Sequence, residues 1–73
     1  MPKLPSVNPR KLIKRLEKLG FAKDHQTGSH LVMYHSNTKR RAVVPIHLRN
    51  IPKGTLHSLL KEAGITIEEI TKR

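Results

Sequence analysis

Seventy-three residues without a single cysteine leave this chain no disulfide and no thiolate zinc site to hold it together. The packing of its secondary structure, or a protein partner, must do so instead. A domain this small buries only about 60% of the surface its unfolded chain exposes, so a thin core and no large enclosed pocket are expected. One domain over residues 1–73 is expected, with residues 1–7 as a flexible N-terminal extension. No apolar run approaches the roughly 20 residues that cross a bilayer, and the opening Met1-Pro2-Lys3-Leu4-Pro5-Ser6 has no apolar signal core. The expectation is a soluble, cytoplasmic chain with no membrane partner.

Hydrophobic periodicity divides the chain into alternating elements. Asn8 is placed to cap a helix with Pro9 at its first position, Leu12, Ile13, Leu16 and Leu19 fall on one face, and Gly20 ends it. This predicts a helix over about 9–19 whose other face carries Arg10, Lys11, Lys14, Arg15 and Lys18. Residues 21–23 read as a short strand, 24–29 as a polar loop, and 30–35 as a strand rich in β-branched and aromatic residues. Residues 36–39 read as a hairpin turn, and 40–46 as a third strand that Pro45 closes. After Pro52-Lys53-Gly54, the residues Leu56, Leu59, Leu60 and Ala63 recur at helical spacing over 55–63, and Gly64 ends that helix. Thr66 followed by Glu69 is a capping-box pattern, which predicts further helical turns over 67–72. The order α-β-β-β-α is an α+β fold in which two helices cover one face of a three-stranded antiparallel sheet, the layout of the double-stranded-RNA-binding fold. The periodicity leaves the core face of the second strand open: His30, Val32 and Tyr34 share one side, Leu31, Met33 and His35 the other, and both sides are partly apolar.

Fifteen Lys and Arg against five acids give a formal charge of +10. That density points to a polyanionic partner, nucleic acid first, bound through counterion release and steering. Phe21 and Tyr34 are the whole aromatic supply, too few for a base-stacking platform, so contacts to the backbone of the nucleic acid are favoured over base reading. A solvated basic helix face is the plainer explanation for the cations of the first helix.

Five histidines raise a metal site, but the five-residue spacing of His25, His30 and His35 would send their side chains to opposite faces of one strand. Five carboxylates in the whole chain are too few for a two-metal nuclease. No metal and no small-molecule cofactor are expected. The remaining chemistry is metal-free RNA cleavage, in which a histidine takes the 2′-hydroxyl proton, that oxygen attacks the adjacent phosphate, and cations stabilise the charge that builds there. DNA, without a 2′-hydroxyl, would be inert. His30 is the first candidate because Gly28 and Ser29 precede it, allowing close backbone approach to a phosphate and offering a hydroxyl and amides. His47 is the second candidate. Lys39, Arg40 and Arg41 are candidates for holding the phosphate, with His47 assisting, while Lys53 is a candidate for reaching a phosphate at the entry to the second helix. His25, His35 and His57 rank lower, as surface or structural residues.

Four short segments, Leu19-Gly20-Phe21, Gly28-Ser29-His30, Val44-Pro45-Ile46-His47 and Lys53-Gly54-Thr55-Leu56, stand in an order and spacing that resemble the HicA family of toxins, over residues 8–69. The resemblance implies a ribosome-independent mRNA interferase with a double-stranded-RNA-binding-like fold. It implies a single active-site histidine in the Gly-Ser-His segment, here His30, and a HicB-like antitoxin that blocks the site. Two departures are visible: the proline-bearing extension, and a Ser36-Asn37-Thr38 hairpin without the glycine common at that turn. Neither removes a motif residue. The competing readings are a non-catalytic RNA-binding module of the same fold, and a protein-interaction domain whose basic face meets an acidic partner.

Overall fold

The computed structural model describes residues 7–71. Its order is α1 (Pro9–Lys18), β1 (Phe21–Thr27), β2 (His30–His35), β3 (Arg41–Pro45), α2 (Lys53–Ala63) and α3 (Ile67–Thr71). Most of the expected N-terminal extension, residues 1–6, lies outside the described residues, as does Lys72. Val7 belongs to the fold: it is buried, it bridges Ile51 in antiparallel fashion, and its carbonyl accepts the Ile51 N–H at 2.9 Å.

Helix α1 forms as its sequence dictates. The Asn8 side chain accepts the Arg10 N–H at 2.8 Å, which satisfies one of the free amides of the first turn. Leu12 and Leu16 are fully buried while Arg10, Lys11, Lys14 and Lys18 face solvent. Arg15 departs from the expected solvated row, because its guanidinium donates to the carbonyl of Ile70 and ties α1 to α3.

The sheet is antiparallel with order β1-β2-β3. Its first strand is longer than the expected 21–23, reaching Thr27, for two local reasons. The register shifts between Lys23 and His25, so Asp24 is an extra bulged residue that lets pairing continue beyond it. Thr27 then pairs with His30, which leaves Gly28 and Ser29 as a two-residue turn. Gly28 has φ 55 and Ser29 is not among the positive-φ residues, the sign pattern of a II′ hairpin turn. The supposed polar loop is a hairpin end. At the opposite end of β2, the Lys39 N–H donates to the His35 carbonyl at 2.8 Å and the His35 N–H to the Arg40 carbonyl at 2.9 Å, while Lys39 itself takes φ 62.

Burial settles the question the periodicity left open. Leu31, Met33, Ala42 and Val44 point into the core, and His30, Val32 and Tyr34 lie on the outer face. Helices α1 and α2 cover the inner face, with Leu56, Leu59, Leu60 and Ala63 of α2 buried against it. The capping box holds as read: the Thr66 N–H donates to Glu69 Oε1 at 3.0 Å and the Glu69 N–H to Thr66 Oγ1 at 3.2 Å, which starts α3 and carries Ile70 to full burial.

Candidate active site

Strand parity determines what can meet on the outer face. Residues directly opposite in an antiparallel pair project to the same side, and His30 pairs with Pro45 and Val32 with Val43. The pairing of β2 with β3 continues one step past the strand, since the Ile46 N–H donates to the Ser29 carbonyl at 2.8 Å. His47, two residues beyond Pro45, therefore emerges beside His30. The two rings stand edge to face with centroids 5.9 Å apart and planes inclined by 62°. Both residues are exposed, and neither ring carries a hydrogen bond among the described residues.

These histidines stand at one side of an open groove of about 400 Å³ between β3 and α2. Val43, Pro45 and Leu59 supply its apolar wall, and Thr55, Ser58 and Glu62 supply its polar side. The α2 residues arrive there because positions three and four apart share one helix face. Glu62 sets a carboxylate against a groove that otherwise belongs to a cationic molecule.

The other candidate residues divide by position. Gly28 and Ser29 form the turn immediately before His30; a Cβ added at Gly28 would meet nothing within 4 Å, so its glycine serves backbone conformation and leaves an open approach. Arg41 pairs with Tyr34 and is exposed, on the His30 face but at the far end of β2. Lys39 and Arg40 lie in the β2–β3 turn beside His35, which is five residues along β2 from His30, or about 17 Å at the rise of a strand. The Arg40 side chain lies along Gly64 at the end of α2, within 3.2 Å of where a Cβ would stand there. The grouping of Lys39 and Arg40 with His30 around a single phosphate is therefore not what the fold builds. Lys53 is exposed at the first position of α2, on the groove's own helix.

The remaining histidines have other employment. His35 Nε2 lies 3.0 Å from the Leu19 carbonyl, and its Nδ1 accepts the N–H groups of Asn37 and Thr38 at 3.2 and 3.3 Å, which places the ring proton on Nε2. The ring also meets Phe21 edge-on at a centroid distance of 5.1 Å. It is a structural clasp between α1 and the β2–β3 turn. His25 pairs through Nδ1 with Asp24 Oδ2 at 2.7 Å, on the exposed bulge of β1. The bulge and the split across two strands replace the single-strand parity that spacing alone suggested: His25 and His30 share the outer face, while His35 points inward. His57 is exposed on α2 and does not line the groove. Among the described residues no three His, Asp or Glu side chains gather as a metal-ligand set, and no helix is long and apolar enough to cross a membrane.

The alternation of Val43, Pro45 and His47 was legible in the sequence, but the nearness of His47 to His30 was not. Sequence reasoning did not identify Thr55, Ser58 and Glu62, whose shared helix face was readable but whose facing strand was not. No curated protein matches the chain at a significant level. The family described as HicA toxin of bacterial toxin-antitoxin matches residues 9–65, a span that includes both histidines, the Gly28-Ser29 turn and all of α2. The chain thus belongs to the HicA family of toxins from bacterial toxin–antitoxin systems.

Proposed function

We propose that this toxin is an endoribonuclease, an mRNA interferase whose catalytic residue is His30. The observation that carries the reading is the setting of that ring: exposed, free of hydrogen bonds among the described residues, next to an open glycine turn, and beside His47 at a groove. On a molecule of charge +10, RNA is drawn to the surface by its phosphates. His30 moves a proton at one of the reacting oxygens, the step at which a well-placed histidine contributes roughly a hundred- to ten-thousandfold in rate. The 2′-hydroxyl is the nucleophile, so RNA is cut and DNA is not, and no metal ion or small-molecule cofactor takes part. Gly28, Ser29 and His47 contact the reacting nucleotide, Lys53 a phosphate beside it, and Arg41 with Lys39 and Arg40 phosphates further along the strand. A HicB-like antitoxin neutralises the toxin by covering this groove, and both act in the cytoplasm.

The test joins a cell experiment with a chemical one. Induced alone in bacteria, the wild-type chain is expected to arrest growth, and His30→Ala, expressed to the same level, to leave it unaffected. Purified wild-type protein is expected to cut single-stranded RNA in EDTA, with His30→Ala at least a hundredfold slower. Equal cutting by both proteins would remove His30 from the chemistry. Intact RNA together with salt-sensitive binding would make the protein an RNA-binding module instead.

A further inference from the structure

We propose that His47 is a second catalytic residue, and that it and His30 act as a complementary pair, one imidazole removing a proton while the other supplies one. The inference rests on the ribonuclease reading above and adds to it the proton donor or acceptor that a single histidine lacks. Cleaving an RNA strand through its own 2′-oxygen needs two proton transfers at two oxygens on opposite sides of one phosphorus. One group must take the 2′-hydroxyl proton and another must protonate the departing 5′-oxygen. Of the five histidines in the chain, His35 has both ring nitrogens engaged by backbone groups, His25 is paired with Asp24, and His57 does not line the groove. His30 and His47 alone approach one another, at 5.9 Å between ring centroids.

The rings are inclined by 62°, so they do not stack face to face, and their separation is of the order of the span across one phosphate group. The backbone brings the two residues side by side. The His30–Pro45 pairing and the bond from Ile46 N–H to the Ser29 carbonyl fix where both residues leave the sheet. Glu62, on the α2 side of the same groove, is the one carboxylate that shares it.

The step balances as follows. A neutral imidazole of the pair accepts the 2′-hydroxyl proton as the 2′-oxygen bonds to phosphorus. The bond from phosphorus to the 5′-oxygen breaks, and the imidazolium of the pair gives its proton to that oxygen. The products are a 2′,3′-cyclic phosphate and a 5′-hydroxyl end, with the two rings left in exchanged protonation states. Water, or release and re-equilibration with solvent, restores them.

The test compares His47→Ala, His47→Gln and His30→Ala on two short RNAs, one natural and one with sulfur in place of the scissile 5′-oxygen. A thiolate leaves without a proton, so loss of the acid is masked on the sulfur substrate and loss of the base is not. Both His47 variants are expected to lose roughly a hundred- to ten-thousandfold in kcat on natural RNA with KM little changed. One of His30→Ala and His47→Ala, and not the other, is expected to recover on the sulfur substrate. Near-wild-type kcat for His47→Gln, which can hold a phosphate but move no proton, would overturn the proposal in favour of simple phosphate binding. An identical response of the two alanine variants to sulfur would overturn it as well. Failure of the wild-type protein to cut either RNA would instead overturn the ribonuclease reading beneath it, and circular dichroism of each variant reports that the exposed substitutions leave the fold in place.

Discussion

At the scale of the residue, Gly20 and His35 show how a small domain spends a histidine on structure. Gly20 sits at φ 103, and a Cβ there would come within 2.5 Å of His35 Nε2. Two penalties therefore apply to Gly20→Ala: backbone strain of about 1–3 kcal/mol, and expulsion of a ring that joins the Leu19 carbonyl to the amides of Asn37 and Thr38. Together they are expected to cost about 2–4 kcal/mol in urea unfolding. In a His35→Ala background the same change should cost only the strain, because nothing remains to be expelled. A double-mutant cycle on the unfolding free energies checks this, and strict additivity would show that the two residues do not interact. The same ring accounts for the fate of one of the five histidines. The sequence ranks His35 and His25 low as surface or structural residues, and both carry hydrogen bonds: His25 to its neighbour Asp24, and His35 to a carbonyl that only the folded chain brings within reach.

At the scale of the element, the two hairpin ends of β2 solve the same turning problem with different residues. The β1–β2 end uses Gly28 at φ 55, where glycine bears no steric cost. The β2–β3 end puts Lys39 at φ 62, the position at which a glycine would be expected and is missing from this sequence. A left-handed lysine costs about 1–2 kcal/mol, whereas glycine gives back about 0.5–1 kcal/mol through the freedom of the unfolded chain. The balance favours Lys39→Gly by about 0.5–1 kcal/mol, visible as a higher midpoint in urea. A fall in the midpoint would mean that the lysine stem makes a contact worth more than the strain. The strands themselves were readable where alternation was clean, as in 30–35. They were misread where a bulge at Asp24 and a two-residue turn at Gly28-Ser29 interrupted the polar sequence of β1. Polar residues on a strand exposed to solvent look like a loop until the partner strand is known.

At the scale of the whole molecule, charge and topology act separately. The net +10 favours a polyanionic partner, and among the described residues the cations are spread over α1, β1, the β2–β3 turn, β3, the loop after it and α2. Binding of single-stranded RNA is expected to weaken linearly in log salt, with a slope of about −0.7 for each phosphate neutralised. Replacing Lys39 and Arg40 together by alanine should flatten that slope by about 1.4 and leave kcat at saturating RNA unchanged, because both stand at the far end of the sheet from the two histidines. Fluorescence anisotropy across a salt series, paired with single-turnover cleavage, measures both. A lower kcat would bring these two residues back to the reacting phosphate. Single-stranded DNA of the same sequence should bind with a similar slope and stay intact, since the attack needs a 2′-hydroxyl.

What this sequence determined by itself is the part governed by local rules. The caps at Asn8 and Thr66, the apolar stripe of Leu12 and Leu16, that of Leu56, Leu59, Leu60 and Ala63, and the α-β-β-β-α order all follow from spacing and chain chirality. What only the tertiary structure decided is the pairing of residues far apart in the chain. Register placed Leu31 and Met33 inward and His30 outward, and carried His47 to within 5.9 Å of His30. It also set Lys39 and Arg40 at the other end of the strand. The physical reason is that a strand's side chains alternate with period two, so apolar residues on both faces leave its orientation undecided until another element buries one of them. Here α1 and α2 bury the Leu31 face, and the two histidines are left together on the other.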